Sequence, residues 1–531
     1  MAGPQTVQAS LGRVGLPAPV AELAARQWDV VVVGGGHNGL TVAAYLARAG
    51  RSVLVLEARP QLGGAATLQR PFTDDRFLVS PCAYVVGLLH PAVVTELELG
   101  RHGFDLTLID PTLWCPFPDG TSLAVFADAD RTTAQVAALA PDDVRGYLAY
   151  EALFARLRRI LRCGPRDTWV GPSPDRAELA ELFADDPEGL DVLLHRSIAD
   201  VVEQHVRDER LRALHGQGVI GTWAGPRDPG TAGVHAMHAM GTLADGRWGY
   251  VRGGTGRVSF ALADAARAHG AMLASGVEVG AIEPGTGVRL VGGELIRATT
   301  VVSNADPQRT TALCLAGGAD AVPLAWRERV DAWRSSSPVL KINCALGRLP
   351  RFSAAVDPDL PHRAMVTITS GIDATQAAFA RATAGQPAPA WAEVYFPSRY
   401  DPSVAPPGSH VMSVFAQYVP YSLADGTWDT RRDDIADAAL AEVARFAPDV
   451  LDCVVEREVL GPPDIEARIG LTGGHIFQGD CLPDQIWERR FAPRTDMPGL
   501  YLCGAATHPG GSVIGVNGRN AADAVLAELS P

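Results

Sequence analysis

Six residues, Gly34-Gly35-Gly36-His37-Asn38-Gly39, constrain this chain more than any others. They follow directly on Asp29-Val30-Val31-Val32-Val33, a β-branched run without polar alternation that reads as a strand buried on both faces of a parallel sheet. Leu40 to Ala49 then reads as a helix capped by Gly50, and Ser52 to Leu56 as a second buried strand ending at Glu57. This is the full βαβ setting that gives G-x-G-x-x-G its meaning. Gly34 permits the tight turn, Gly36 lets the backbone approach a pyrophosphate, and Gly39 lets helix and strand pack closely. The helix start, with His37 and Asn38 inside the motif, offers unpaired N–H groups and partial positive charge to phosphates. Glu57, 18 residues after Gly39, is placed to accept hydrogen bonds from an adenosine ribose.

FAD and NAD both use such a unit, and the residues after Glu57 discriminate between them. Ala58-Arg59-Pro60-Gln61-Leu62 leads into a second glycine pair, Gly63-Gly64. This resembles the signature of the glutathione-reductase-like flavoproteins, in which the pair lets the chain pass close to the cofactor's diphosphate and ribityl. Many of those proteins place Arg after the pair, where this sequence has Ala65. The resemblance then implies a diphosphate held more by backbone N–H groups, with Arg59 or Arg70 as compensating candidates.

The rest of the chain is long enough for two to four domains: 531 residues, 47% hydrophobic and 20% charged. The net charge of −14 argues against nonspecific binding to nucleic acid. Eight irregularly spaced cysteines without a C-x-x-C pair point to a reducing, cytoplasmic setting and no metal site. The sequence shows neither a secretory signal nor a membrane span. Residues 1–27 read as a flexible lead-in and 28–114 as the first part of the dinucleotide-binding domain. A helical insertion covers 115–212, with Leu153, Leu157 and Leu161 at helical spacing, and 213–310 returns to the nucleotide domain. Residues 311–465 carry five strand candidates (339–346, 365–369, 391–396, 411–418, 454–459) and a helix over 433–446. Residues 466–531 close the nucleotide domain with a strand, a glycine-rich loop and a helix. The fold class is α/β: a Rossmann-like domain interleaved with an α+β substrate domain carrying a mixed sheet.

Val301-Val302-Ser303-Asn304-Ala305-Asp306 and Leu502-Cys503-Gly504-Ala505-Ala506-Thr507-His508-Pro509-Gly510-Gly511 join the motifs above. Together they resemble the phytoene (carotenoid) desaturase group of FAD oxidoreductases. Gly221-Thr222-Trp223-Ala224-Gly225-Pro226 and Gly473-Gly474-His475-Ile476-Phe477-Gln478-Gly479 are similar to its pyridine nucleotide-disulfide oxidoreductase domain-containing protein 2 branch. The resemblance runs from about residue 28 to 529. It implies FAD, two interleaved domains, and hydride transfer to flavin N5 from a lipophilic, carotenoid- or isoprenoid-like substrate, with oxygen or a quinone as acceptor. It implies that the Val279 backbone meets the adenine, that Asn304 belongs to the site, and that Gly504, Gly511 and Val513 pass along the flavin. The helix starting at Val516 would point its N-terminus at the flavin, with Asn517 assisting. Such a substrate implies a cytoplasmic protein with peripheral membrane contact; nothing in the sequence sets the oligomeric state. The same motifs also suit a flavin amine oxidase, or a flavin-binding protein whose work is regulation or partner binding.

Two residues stand out for catalysis. Lys341 is the only lysine in the chain and lies between Leu340 and Ile342 on a strand candidate; the resemblance to monoamine-oxidase-like relatives, in which a lysine on a comparable strand holds a water near flavin N5, implies the same here, and otherwise it would face solvent. His508, in the glycine-rich loop, would be a base or only bond the loop. His475, His235 and His238 are further candidates, while Trp223, Trp248 and Tyr250 read as pocket wall or core. No G-x-S-x-G elbow supports nucleophilic catalysis.

Overall fold

The computed structural model describes residues 5–216, 219–239, 241, 246–318 and 322–529. At the centre of the first sheet lies the Gln27–Val33 strand, which pairs in parallel with Val53–Glu57 on one side and Leu295–Ser303 on the other. Met272–Ser275 adds a further parallel strand beyond Val53–Glu57. The outer edge of Leu295–Ser303 is divided. Its first residues pair antiparallel with Gly287–Leu290, which continues to Val279–Glu283, and its last three pair in parallel with Leu500–Leu502. Three distant stretches of chain thus build one sheet, and its parallel strands all end on the side of the Gly34–Gly39 loop. In open α/β sheets, that side is where ligands bind.

Helices His37–Arg48, Gly256–Ala268 and Val516–Leu529 cover one face of this sheet in a shared core with Val30, Val32, Val53 and Val55. The packing depends on missing side chains. A Cβ on Gly39 would lie 2.2 Å from the Gly34 carbonyl oxygen, and one on Gly518 would lie 2.4 Å from that of Asn38.

The lead-in differs from the flexible segment expected for residues 1–27. Val7 is fully buried, its N–H donates to Asp264 Oδ1 at 2.9 Å, and Arg257 donates to the Gln8 carbonyl. Val20–Ala25 forms a short helix whose Leu23 is buried beside Trp28. Apolar residues spaced too widely to show a period still find partners on a domain made elsewhere in the chain.

The second sheet runs Val454–Leu460, Val339–Leu346, His410–Gln417, Trp391–Tyr395, Met365–Thr369, Leu113–Pro116, Ser122–Val125. All neighbours are antiparallel except Met365–Thr369 and Leu113–Pro116. The strand Leu113–Pro116 straddles the expected boundary at 114–115, because the prolines there punctuate strands rather than separate domains. Side chains alternate across the sheet. Leu340, Ile342, Val394, Val414 and Ala416 pack on Ile435, Ala439, Leu440 and Val443 of the Trp428–Ala444 helix. The opposite face carries Lys341, Asn343, Glu393, Tyr395, Ser413 and Phe415. Helices including Val144–Cys163, Ile198–His205 and Thr231–Ala239 form a third layer with its own core.

Candidate active site

A cavity of about 860 Å³ connects the first sheet's loop end to the polar face of the second sheet. On the nucleotide side its wall includes Gly34, Gly36, His37, Asn38, Glu57, Ala58, Arg59, Gly64, Ala65, Val279 and Asn304. The glycines make room for a close ligand. Gly34 sits at φ +98°, and a Cβ on Gly64 would lie 3.1 Å from the Gly36 Cα. The chain returns past the first loop through a bridge between Gly36 and Gly63, with the Gly63 N–H donating to the Gly35 carbonyl at 2.8 Å. Glu57 is held by the Gly35 and Arg59 N–H groups, both at 2.9 Å, which fixes its carboxylate at the cavity wall. The His37–Arg48 helix starts at Gly36 without a side-chain cap, leaving its first N–H groups for a ligand. Burial lowers the His37 pKa to about 4, so the ring there is neutral, and among the described residues its Nε2 has no hydrogen-bond partner. Uncapped donors, a side-chain-free cradle and an anchored carboxylate are what a dinucleotide requires, and the residues fit one.

On the far side, Lys341 is in the cavity wall rather than in solvent. It is 2% exposed, donates to Asn343 Oδ1 at 2.7 Å and to Ser413 Oγ, and its Nζ lies 4.5 Å from the Tyr84 ring centroid. Burial lowers its pKa to about 7. Antiparallel register then carries the row onward. Lys341 pairs with Phe415, Phe415 with Glu393, and Glu393 with Thr367, so all four share one face. The Tyr395 hydroxyl donates to Glu393 Oε2 at 2.6 Å and Tyr84 adds a second contact, but burial dominates and pushes the carboxyl up to about 7. Glu393, Tyr84, Tyr395, Phe415 and Cys82 are wall residues that the sequence reading missed. Alternation in Trp391-Ala392-Glu393-Val394-Tyr395 was the available signal for two of them; Tyr84 and Cys82 lie on an irregular segment with none.

Other expected residues lie behind the wall. His508 does not line the cavity: its Nε2 donates to the Thr168 carbonyl at 2.6 Å, and burial lowers its pKa to about 4. This geometry gives His508 a loop-bonding role in place of a base's, because the glycine-rich loop turns the side chain away. Asn517 Nδ2 donates to the Thr507 and Gly510 carbonyls at 3.0 Å each and so shapes the same loop. Gly39, Gly63, Gly504, Gly511 and Val516 are also set back, Gly504 against Gln478 and Gly511 against Phe477, whereas Ser512 and Val513 reach the cavity. Arg59 reaches it; Arg70 instead bonds the Asp75 carbonyl. His235, His238 and Trp248 line it. His475 is buried, bonding Asp480 at 3.2 Å.

The two motifs around Trp223 and His475 meet here. The Trp223 N–H donates to Asp480 Oδ1 at 3.1 Å, and a Cβ on Gly221 would lie 2.8 Å from both Ile476 and Phe477. Arg490, 3% exposed, donates to the carbonyls of Phe477, Asp480, Gln485 and Ala505, and so ties the Phe477 stretch of the wall to the glycine-rich loop.

A Rossmann-type nucleotide domain facing a cavity in a second sheet defines an oxidoreductase architecture. The family described as NAD(P)-binding Rossmann-like domain matches residues 32–91. The rat pyridine nucleotide-disulfide oxidoreductase domain-containing protein 2 is 35% identical over 550 residues, covering 95% of this chain and 94% of its own length, and the chain belongs to this protein's family. One of the limonene dehydrogenase subunits of Castellaniella defragrans is 26% identical (95% of each chain), and hydroxyneurosporene desaturase of Cereibacter sphaeroides 29% (94% of this chain, 98% of its own). Among solved structures, an oxidoreductase from Methanosarcina mazei superposes with a TM-score of 0.59 at 17% identity, covering 94% of this chain and 100% of its own. Putrescine oxidase bound to putrescine gives 0.59 at 15%, covering 95% and 100%. At these identities the two structures establish a shared fold.

Proposed function

We propose that this protein is an FAD-dependent oxidoreductase of the dehydrogenase, or desaturase, type, acting on a largely apolar, isoprenoid-like substrate. The observation that carries the reading is one cavity joining the Gly34–Gly39 loop and Glu57 to Lys341. Bound FAD supplies a two-electron acceptor that oxygen or a quinone reoxidises. The Gly34–Gly39 loop and the helix behind it bind the diphosphate, Glu57 accepts from the ribose, and Gly64, Ala65, Asn304 and Val513 border the remainder. Val85, Ile220, Trp248, Ile476 and Phe477 give the substrate an apolar surface and exclude water.

Desaturation of a carbon–carbon bond removes a hydride from one carbon and a proton from its neighbour. The neutral Lys341 amine is the proton acceptor in the wall, and a pKa near 7 suits both uptake and release. Among the described residues no helix is long and apolar enough to cross a membrane. A substrate of this kind partitions into bilayers, so we place the protein in the cytoplasm with peripheral membrane contact. The limonene dehydrogenase and hydroxyneurosporene desaturase relatives support the apolar substrate. A second reading, an amine as substrate, is favoured by one observation, the Glu393 carboxylate among aromatic rings.

The test is an anaerobic visible spectrum of the purified protein before and after adding a lipophilic polyene in detergent, with mass analysis of the released cofactor. A flavin spectrum that bleaches, and FAD in the supernatant, is expected. A colourless protein refutes the cofactor; a flavin that stays oxidised refutes the polyene and turns attention to amines.

A further inference from the structure

We infer that Asn343 is a positioning residue for proton transfer: its amide turns the Lys341 amine toward the cavity, and Glu458 holds that amide in place. Neither Asn343 nor Glu458 lines the cavity. The inference rests on Lys341 being the proton acceptor, and adds the residues that aim it.

Asn343 is fully buried and lies two residues along the strand from Lys341, on the same face. Strand register sets it between Ser413 on one side and Glu458 on the other. Its amide is fully engaged. Oδ1 accepts from Lys341 Nζ at 2.7 Å and from Ser413 Oγ at 3.4 Å. Nδ2 donates to the Pro81 carbonyl and to Glu458 Oε2, at 3.1 Å each. Turning the amide over would set its N–H groups against the amine, and its oxygen against a carbonyl and a carboxylate, so the partners dictate one orientation. Glu458 is held in turn by Arg468 of the Pro462–Ile469 helix, which also donates to Gln69.

The direction of the amine follows from this lock. A neutral amine has two N–H groups and one lone pair. Asn343 Oδ1 and Ser413 Oγ take both N–H groups, since the Ser413 proton is directed to Asn343. The lone pair is left on the side that neither acceptor covers, and because Lys341 lines the cavity, that is the side from which a substrate C–H approaches. The nitrogen takes the proton, and the C–H electron pair becomes the new double bond as the hydride leaves the adjacent carbon. The ammonium keeps both hydrogen bonds. The bond from Asn343 to Pro81 also fastens the segment that carries Cys82 and Tyr84, and the Tyr84 ring lies 4.5 Å from Nζ.

The titratable groups around Lys341 are Cys82 and Tyr84 on that segment, Cys344 on its own strand, Glu458 on the next strand and Glu393 two strands the other way. Burial raises the Cys82 thiol to about 11, the Cys344 thiol to about 12 and the Tyr84 phenol above its ordinary value, so these three are neutral near pH 7. Glu393 titrates at about 7, so the lysine itself has to be watched.

The test follows the Lys341 Cε resonance in holoprotein labelled with carbon-13 lysine, together with the rate of anaerobic flavin reduction by a lipophilic polyene in detergent. Asn343→Leu removes an acceptor that favours the ammonium and should lower the titration midpoint by about one pH unit; Asn343→Asp places a carboxylate there and should raise it by about one unit or more. At saturating polyene, Asn343→Leu should slow reduction about tenfold or more, with the half-saturating concentration within about twofold. Glu458→Met should lower the rate, and Glu458→Gln, which keeps an acceptor for Nδ2, should recover most of the loss. That pair decides if the Asn343 variants do not fold, and equal rates in the two overturn the inference. Midpoints unmoved in both Asn343 variants overturn it as well. So does reduction as fast in Asn343→Leu as in the unaltered protein while Lys341→Met is slow, which leaves Lys341 standing as the base. An undiminished rate in Lys341→Met overturns the base and the inference with it. A polyene that reduces none of the proteins overturns the polyene reading, and the two midpoints then decide the positioning alone.

Discussion

Because Lys341 is the only lysine, its protonation can be followed without ambiguity. Burial lowers its pKa from 10.5 to about 7, despite two hydrogen bonds and the Tyr84 ring beneath it. The difference, 10.5 − 7, is about 3.5 pH units, or roughly 5 kcal/mol against the charged form. Below about pH 7 the amine is protonated folded and unfolded alike, and above about 10.5 it is neutral in both. Between those values only the unfolded chain holds the proton, so stability rises with pH by about 1.4 kcal/mol per unit. Lys341→Met removes that slope. Between about pH 7 and 9 the unaltered protein should gain roughly 2–3 kcal/mol relative to the variant, a difference that cancels every other titrating group. Two measurements check this. Lysine labelled with carbon-13 at Cε gives one side-chain resonance, whose titration midpoint should fall near 7. Denaturant unfolding of both proteins at the two pH values gives the double difference. A midpoint near 10.5, or equal pH slopes, would refute the burial argument and with it the neutral base. If Lys341 takes the proton, Lys341→Met should also slow anaerobic flavin reduction by about 10²-fold or more.

Gly39→Ala should expel the cofactor, since the new Cβ would meet the Gly34 carbonyl oxygen at 2.2 Å and neither backbone can give; flavin content per mole of protein measures it. Glu57→Gln sets an amide where the Gly35 and Arg59 N–H groups now meet a carboxylate, and should weaken cofactor retention on dialysis by about tenfold or more. Arg490→Met orphans four buried carbonyls and should cost about 3 kcal/mol or more, read as a lowered thermal midpoint with early flavin release. His508→Gln should leave the pH profile of flavin reduction unchanged, because the ring faces Thr168 and not the cavity; a lost ionisation in that profile would restore it as a base.

The nucleotide half of the site was legible because its code is local. Strand, turn, helix and acid lie within Asp29–Glu57, and Gly39 acts on the Gly34 carbonyl five residues before it. The strand candidates of the second sheet also stand close to where they were read, since Val339–Leu346 and Met365–Thr369 carry their β-branched pattern in themselves. The C-terminal loop shows where local reading stops. Gly504 and Gly511 lie in the Leu502–Gly511 motif and Asn517 follows it, yet they act by packing on Gln478 and Phe477 and by holding carbonyls, while Ala505, Ser512 and Val513 reach the wall. Glu393 was illegible for another reason. Alternation tells which residues share a face, not which face is covered. That is decided by the Trp428–Ala444 helix, which packs on Leu340, Val394 and Val414 and so turns Lys341, Glu393 and Phe415 the other way. Directly paired residues point to the same side, so Lys341, Phe415 and Glu393 share one face, and all three line the cavity. A slip of one residue in either pairing would bury one charge under the helix, and the apolar face opposite is what forbids that slip.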